Sequence, residues 1–275
     1  MPELPEVETT RRGIATVMAG RRLDQFIVHE NRLRWPVPAE LPHTLQGRVV
    51  QACERRGKYL LIRFAHGVQI VHLGMSGSLR RVPMNEPRRK HDHAEWVLGD
   101  ARFLYHDPRR FGAILWHDLN LGPVEQHPLL ARLGMEPFDT AFDGKHLHRC
   151  FKDRAVSIKQ ALLAGDAVVG VGNIYASEAL FKARINPQTP AGKISAARCN
   201  TLATAIRKTL SQALEAGGST LRDYVNSTGE PGAYFTLHAA MYERAGKPCP
   251  RCETPVKRIV QGQRATYFCP VCQRR

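Results

Sequence analysis

The stretch CPRCETPVKRIVQGQRATYFCPVC, residues 249–272, contains two Cys-x-x-Cys pairs, Cys249 with Cys252 and Cys269 with Cys272. Sixteen residues separate the pairs, a spacing typical of a tetrahedral zinc site with four thiolate ligands. The segment RATYF between them predicts a small β-hairpin that brings the pairs together. Four thiolates leave no open coordination position, so we expect one structural zinc ion. Disulfides or idle thiols are the alternative, which a reducing cytosol disfavours.

Arg264 lies near the predicted tip of this metal-clipped hairpin. A guanidinium held on such a rigid loop fits phosphate oxygens through its planar fork. A solvated surface arginine explains the same position equally well.

The part of the chain before this hairpin has helical periodicity. We predict helices over 147–165, 174–185 and 195–218. The turn-rich stretch QHPLLARLGMEPFD precedes them and has little strand pattern, which is typical of a linker.

The first half of the chain shows one helix followed by strands. Apolar residues at helical spacing predict a helix from Pro5 to Ala19, ended by Gly20. KYLLIRF, VQIVHL and GAILWH are short apolar runs typical of strands, and EWVLGDARFLYHD predicts a hairpin across Gly99 and Asp100. The expected fold class is α+β: an antiparallel β-sandwich with one long helix over 1–130, a linker over 131–147, a helical domain over 148–240 and a zinc finger over 241–275.

The chain has 275 residues, with 40 lysines and arginines against 25 aspartates and glutamates, which gives a formal net charge of +15. This excess predicts a polyanionic partner, most often nucleic acid, because neutralised phosphates release their counterions. No apolar run approaches the ~20 residues of a membrane helix. The N-terminus lacks the pattern of a signal peptide. We therefore expect a cytoplasmic protein with no membrane partner.

Three short motifs suggest further contacts with nucleic acid. In VVGVGNIYASEAL, two glycines precede a helix that Asn173 could cap, which makes either a phosphate cradle or a plain turn between helices. In HDPRRFG, Arg109 and Phe111 project from a predicted loop and suit a wedge that enters a base stack. Met75 in HLGMSGS lies in a similar glycine-flanked loop, although Met75 and Phe111 are also typical core residues. Lys58 follows two arginines and is either a phosphate ligand or part of a solvated face.

Eight motifs occur here in the same order as in bacterial formamidopyrimidine-DNA glycosylases, and the resemblance runs from Met1 to Arg275. They are MPELPEVET, RRGKYLL, HLGMSGS, KHDH, DPRRFG, VVGVGNIYASEAL, GKPCPRC and QRATYFCPVCQ. The resemblance implies a β-sandwich, a helix–two-turn–helix domain and a zinc finger. It also implies an enzyme that removes oxidised purines, chiefly 8-oxoguanine and formamidopyrimidines, from double-stranded DNA and then cleaves the strand at the abasic site.

The resemblance assigns roles to individual residues. After removal of Met1, the secondary amine of Pro2 would attack C1′ of the damaged nucleotide, with Glu3 handling a proton at the sugar ring. Glu6 is expected to position the N-terminus. Lys58 and Arg264 match the family's residues for β- and δ-elimination; we interpret both as ligands of the leaving phosphates. The positions that match the family's DNA contacts are His91, Arg109, Arg154, Asn173, Met75 and Phe111. The segment 225–234 corresponds to a lesion-capping loop. The resemblance also leads us to expect a monomer.

Three other functions stay open at this point. An enzyme similar to endonuclease VIII would use the same amine on oxidised pyrimidines. A DNA-binding protein without catalysis would have an inert N-terminus, although Pro2, Glu3, Lys58 and Arg264 are all present. A basic ribosome-associated protein would have no use for a proline amine.

Overall fold

A computed structural model gives the fold and describes residues 2–219 and 226–274. The chain divides into two compact units, Met1–Ala131 with Ala216–Phe235, and Arg132–Glu215 with Thr236–Arg275. Two predictions, the removal of Met1 and the start of the capping loop at Val225, fall on residues outside the described part. The predicted boundaries at 130, 147 and 240 stay predictions.

The first unit is built on two four-stranded antiparallel sheets. The first sheet has the order β1-β6-β7-β5 and the second the order β2-β3-β4-β8. The strands are β1 Gln25–Val28, β2 Ala52–Arg56, β3 Tyr59–Phe64, β4 Gly67–His72, β5 Ser78–Val82, β6 Asp92–Leu98, β7 Ala101–His106 and β8 Ala113–Asp118. The predicted hairpin across Gly99 and Asp100 is confirmed as the β6–β7 pair.

Side chains from both sheets form one apolar core. Phe26 and Trp96 of the first sheet and Leu60 and Phe64 of the second belong to the same buried cluster. The indole Nε1 of Trp96 donates to Oε1 of the buried Gln69 at 2.9 Å, so this large ring leaves no unpaired donor in the core. The sheets therefore form the predicted sandwich.

Helix α1, Leu4–Met18, packs against β2 in this unit. It begins with Pro5 in its first turn and ends before Gly20, whose φ of +78° favours glycine, so the predicted helix is confirmed. A second, short helix, α2 at Leu41–Leu45, was not predicted.

The second unit is helical. Its helices are α3 Gly144–Phe151, α4 Ile158–Ala164, α5 Asn173–Lys182 and α6 Ala196–Glu215, and α7, Tyr234–His238, crosses the boundary between the units. The single helix predicted over 147–165 is wrong. The chain breaks after Phe151 because Asp153 adopts a positive φ of 59°, and the side chain of Ser157 caps a new helix by accepting from the N–H of Gln160.

The zinc-finger segment forms the predicted hairpin from β9, Lys257–Gln261, and β10, Arg264–Phe268. Gly262 and Gln263 make the turn, both with positive φ, as two-residue hairpin turns of type I′ require. The buried carboxylate of Glu178 on α5 accepts from the backbone N–H groups of Ala240, Met241 and Tyr242, each at 2.9 Å. These three bonds hold the segment before the hairpin on α5.

Within the described part of the chain, none of the helices combines the length and apolar character needed to cross a bilayer.

Candidate active site, nucleic-acid interface and metal centre

The start of α1 holds Pro2 and Glu3 in fixed positions. Both residues are buried, Glu3 with 2% of its surface exposed. One carboxylate oxygen of Glu6 accepts from the backbone N–H of Glu3 at 2.6 Å, and the other accepts from the N–H of Ser219 at 2.7 Å. Glu6 therefore ties the residue next to the candidate nucleophile to a segment 213 residues away in the sequence.

Lys58 lies in the turn between β2 and β3, where Gly57 has a φ of +57°. Its charge acts on His72 at the end of β4. Burial and the charges of Lys58 and Arg34 lower the pKa of His72 to about 4. His72 is therefore neutral at pH 7, and its Nδ1 accepts from the N–H of Gly74 at 3.1 Å.

The loops that carry Met75 and Phe111 lie side by side. Asp107 is fully buried and joins them, because one oxygen accepts from the hydroxyl of Ser76 and the other from the N–H of Gly112, each at 2.8 Å. A Cβ at Gly74 would lie 2.4 Å from the nitrogen of Gly112, so only glycine permits this approach.

The apolar side chains on these loops point to solvent and not into the core. Met75 is 41% exposed and Phe111 is 45% exposed, which excludes the interpretation of both as core residues. The guanidinium of Arg109 stacks over the ring of Phe111 at 4.8 Å. The two loops thus present two apolar side chains and a cation on one surface of the first unit.

His91 lies just before β6, close to two other histidines. Its ring centroid is 6.1 Å from that of His93 and 6.0 Å from that of His106. Partial burial and the charges of His106 and Lys90 lower the pKa of His91. His106 contacts the buried Asp92, with Nδ1 2.8 Å from the carboxylate.

In the second unit, Asn173 and the hairpin of Arg264 are held together by one carbonyl. Asn173 is the first residue of α5 and not its cap, a role that Gly172 fills, so the predicted cap is wrong by one residue. The amide of Asn173 and the Nζ of Lys159 both donate to the carbonyl of Ala265 at 3.0 Å. Arg264, the neighbour of Ala265, is exposed. The sequence reasoning missed Lys159, which is fully buried within an apolar helical run, a position where lysine is rare.

Arg154 is committed to an ion pair in the connection between α3 and α4. Its Nη1 lies 2.9 Å from Oδ1 of Asp166, and this hydrogen bond raises the pKa of Arg154 further. About a third of the side chain is exposed, so it can still contact a second anion.

The four thiols form a compact cluster. Cys249, Cys252, Cys269 and Cys272 have Sγ atoms that all lie within 4.8 Å of one another. Tetrahedral zinc with Zn–S bonds of about 2.3 Å requires S–S separations of roughly 3.8 Å. The contacts of 3.4 Å from Cys252 to Cys269 and 3.9 Å from Cys249 to Cys272 fit that requirement. Hydrogen bonds with Thr254 lower the pKa of Cys252 to about 6, whereas burial raises the pKa of Cys269 and Cys272. The cluster is a structural metal site.

Three family models match the chain. The formamidopyrimidine-DNA glycosylase N-terminal domain matches residues 1–114, the H2TH domain of the same enzyme matches 133–225, and the zinc finger found in FPG and IleRS matches 246–275. The chain is 69% identical over 275 residues to the formamidopyrimidine-DNA glycosylase of Bordetella pertussis and 59% identical over 276 residues to that of Burkholderia multivorans, with 100% of each chain covered.

Solved structures match over nearly the full length. The Fpg protein of Thermus thermophilus is 40% identical with a TM-score of 0.88, covering 99% of this chain and 98% of that one. Lactococcus lactis Fpg in complex with abasic-site DNA is 31% identical with a TM-score of 0.90, covering 99% and 100%. The same enzyme in complex with DNA containing N7-benzyl-Fapy-dG is 32% identical with a TM-score of 0.90, covering 100% of both chains. The chain therefore belongs to the formamidopyrimidine-DNA glycosylase family.

Proposed function

We propose that the protein is a DNA glycosylase and abasic-site lyase that removes oxidised purines, chiefly 8-oxoguanine and formamidopyrimidines, from double-stranded DNA. The observation that carries the proposal is the buried Pro2–Glu3 pair, which Glu6 fixes at the start of α1. Family relatives solved with Fapy-dG and abasic-site DNA support the same substrate class.

Pro2 supplies the nucleophile once Met1 is removed. A free α-amine titrates near pH ~8, so a useful neutral fraction exists at pH 7. Its nitrogen bonds to C1′ as the bond to the base breaks, the base leaves with that electron pair, and the N–H proton of the amine passes to the departing base. Opening of the sugar ring leaves an iminium ion, because a secondary amine that has formed two bonds to C1′ has no N–H to lose. Glu3, adjacent to the nitrogen, transfers the proton at the ring oxygen.

The iminium ion then drives strand cleavage. It withdraws electrons from C1′ and so acidifies the C2′ proton, whose loss expels the 3′-phosphate; a second elimination expels the 5′-phosphate. Lys58 and Arg264 stabilise the leaving phosphates as cations. An arginine is a poor acid at neutral pH, so Arg264 acts through its charge and its planar fork.

The exposed loops of the first unit suit the gap that a flipped nucleotide leaves. Met75 and Phe111 would fill the stack while Arg109, already stacked on Phe111, would pair with the orphan base. His91, Arg154 and Asn173 would contact the DNA backbone. The net charge of +15 favours that binding through counterion release.

One zinc ion would occupy the cluster of Cys249, Cys252, Cys269 and Cys272 and hold the β9–β10 hairpin with Arg264 in shape. Because four thiolates complete its coordination, the ion has no position for a substrate. We further propose a cytoplasmic monomer.

The test blocks the Pro2 amine and leaves the other proposed catalytic residues unchanged. Strand cleavage is measured on end-labelled duplexes that contain 8-oxoguanine opposite cytosine, or a preformed abasic site. A version with an N-terminal tag, in which the Pro2 nitrogen is an amide, should lose both activities and keep DNA binding. A C-terminal tag of the same sequence is the control. Cleavage of the abasic duplex by the N-terminally tagged protein at the untagged rate would contradict the proposal.

Oxidised pyrimidines are the second candidate substrate class. Lactococcus lactis Fpg has been solved in complex with oxidised-pyrimidine DNA, so a family member binds such lesions. A duplex containing an oxidised pyrimidine belongs in the same assay. Faster excision from it than from the 8-oxoguanine duplex would reassign the preference and leave the amine chemistry intact.

A further inference from the structure

A cationic groove lies at the C-terminal end of α5 in the second unit. Its volume is about 660 Å³. Its described lining residues are Lys182, Asn200, Thr201, Thr204, Ala205, Lys208, Gln212 and Arg251. This lining contains three cations and no carboxylate.

Lys182 is repelled by the other two cations and is held by Gln212. Burial lowers the pKa of Lys182, and although Glu178 raises it, the charges of Lys208 and Arg251 lower it again. The Nζ of Lys182 donates to Oε1 of Gln212 at 2.5 Å. An anion in the groove would relieve this repulsion.

Arg251 is preorganised at the edge of the groove. Its guanidinium stacks over the ring of Phe181 at 4.6 Å and donates to the carbonyl of Phe181 at 3.3 Å. Because stacking fixes the plane of the guanidinium and one N–H group is bonded to the carbonyl, the remaining N–H groups are held in a fixed direction. Such a planar set of donors suits a carboxylate.

The groove lies at the opposite end of α5 from the proposed DNA contact. Asn173 begins α5 and Lys182 ends it. Nine residues at a rise of about 1.5 Å per residue separate them by roughly 13 Å along the helix axis. None of the lining residues belongs to the proposed catalytic or DNA-binding set.

We propose that this groove binds an acidic peptide segment of a partner protein, with carboxylates on the cations and an apolar side chain between them. The apolar contact would come from Ala205 and the aliphatic stems of Lys182 and Lys208, since long cationic side chains present apolar stems below their charged heads. Asn200, Thr201 and Thr204 add hydrogen-bonding groups for a peptide backbone. The apolar contacts in the groove favour a peptide, which offers apolar side chains, over the uniformly charged sugar-phosphate backbone of nucleic acid. The inference is independent of the proposed catalytic function.

The test uses fluorescence anisotropy with the full-length protein. The probe is a short fluorescein-labelled peptide of alternating aspartate and leucine, and a peptide of alternating asparagine and leucine is its neutral match. Lys208→Glu reverses a charge at an exposed position in the groove, and Lys193→Glu makes the same change at an exposed position outside the lining. Lys208→Glu should weaken binding of the acidic peptide by about tenfold or more, because it reverses a charge close to the peptide. Lys193→Glu should change the affinity by less than about twofold.

Three results would overturn the proposal: no saturable binding of the acidic peptide, binding of the neutral peptide as tight as that of the acidic one, or an equal loss of peptide affinity in the Lys208→Glu and Lys193→Glu proteins. Displacement of the peptide from the groove by an equally charged single-stranded oligonucleotide at lower concentration would assign the groove to nucleic acid and so overturn it too. The Lys208→Glu protein should excise 8-oxoguanine at the unaltered rate. Excision therefore reports on the proposed catalytic function, and peptide binding reports on the groove.

Discussion

Gly13 tests how tightly the segment after residue 225 is docked on α1. A Cβ built at Gly13 would lie 1.6 Å from Oγ of Ser227 and 2.7 Å from its Cβ, so the side chain and the backbone of Ser227 would both have to move. Ser227 is 4% exposed, and its carbonyl accepts from the N–H of Arg81 at 2.8 Å, which limits that movement.

The expected effect of Gly13→Ala is a loss of stability. Alanine in a helix interior normally stabilises by ~0.5–1 kcal/mol relative to glycine. Overpacking of a buried contact costs about 1–3 kcal/mol, so the clash should outweigh the helix preference and the first unit should lose on the order of 1–2 kcal/mol. Urea unfolding followed by tryptophan fluorescence measures this directly, because all three tryptophans, at positions 35, 96 and 116, lie in the first unit.

A reciprocal exchange identifies the cause. With Ser227→Gly, the nearest remaining atom to an alanine Cβ at position 13 is the Cα of residue 227, at 4.0 Å, an ordinary contact. The double variant should therefore recover most of the stability that Gly13→Ala loses. A single Gly13→Ala variant as stable as the unaltered protein, or a double variant no more stable than the single one, would refute this account of the contact.

Three further outcomes are expected. Burial raises the pKa of Glu8, but hydrogen bonds from Arg11 and Arg12 outweigh this effect and lower the pKa to about 2. Glu8→Gln should therefore lower the free energy of unfolding by about 1 kcal/mol at pH 7, after allowance for solvent screening. The difference in stability between the variant and the unaltered protein should vanish as the pH falls from ~4.5 towards 2, and urea midpoints that do not converge would count against the ion pairs. Gly74→Ala should destabilise the first unit by ~2 kcal/mol or more in the same urea assay, since the Cβ would meet Gly112 at 2.4 Å and φ is +64°; an unchanged midpoint would disprove the close approach. Chelation of the metal should speed hydrogen exchange in the β9–β10 hairpin and leave the sheets of the first unit unaffected, whereas an unchanged hairpin would exclude a structural metal.

Sequence patterns predicted the elements that depend on local rules. The two Cys-x-x-Cys pairs, the β6–β7 hairpin at Gly99 and α1 before Gly20 each follow from a few neighbouring residues. The break between α3 and α4 was missed because the apolar periodicity continues across it. The positive φ of Asp153 interrupts the helix and the side chain of Ser157 caps the start of α4. The spacing of apolar residues indicates neither feature.

Long-range contacts were beyond the sequence. Glu6 was expected to position the N-terminus, but its bond to Ser219 joins residues 213 positions apart. Asp107 lies in the loop predicted for HDPRRFG, and its role in joining the two exposed loops depends on Ser76 coming within 2.8 Å of it. The exposure of Met75 and Phe111 could also not be predicted, because a glycine-flanked apolar residue is compatible with either a core or a surface position.

The measurement that tests the central claim most directly is borohydride trapping on a duplex with 8-oxoguanine opposite cytosine, followed by peptide mapping of the adduct. Borohydride reduces the iminium ion between enzyme and sugar to a stable amine, so the mapped residue is the nucleophile. The account predicts a cross-link to Pro2 at the N-terminus of a chain that has lost Met1. A cross-link to the side chain of Lys58, or no adduct while the duplex is bound and cleaved, would contradict it.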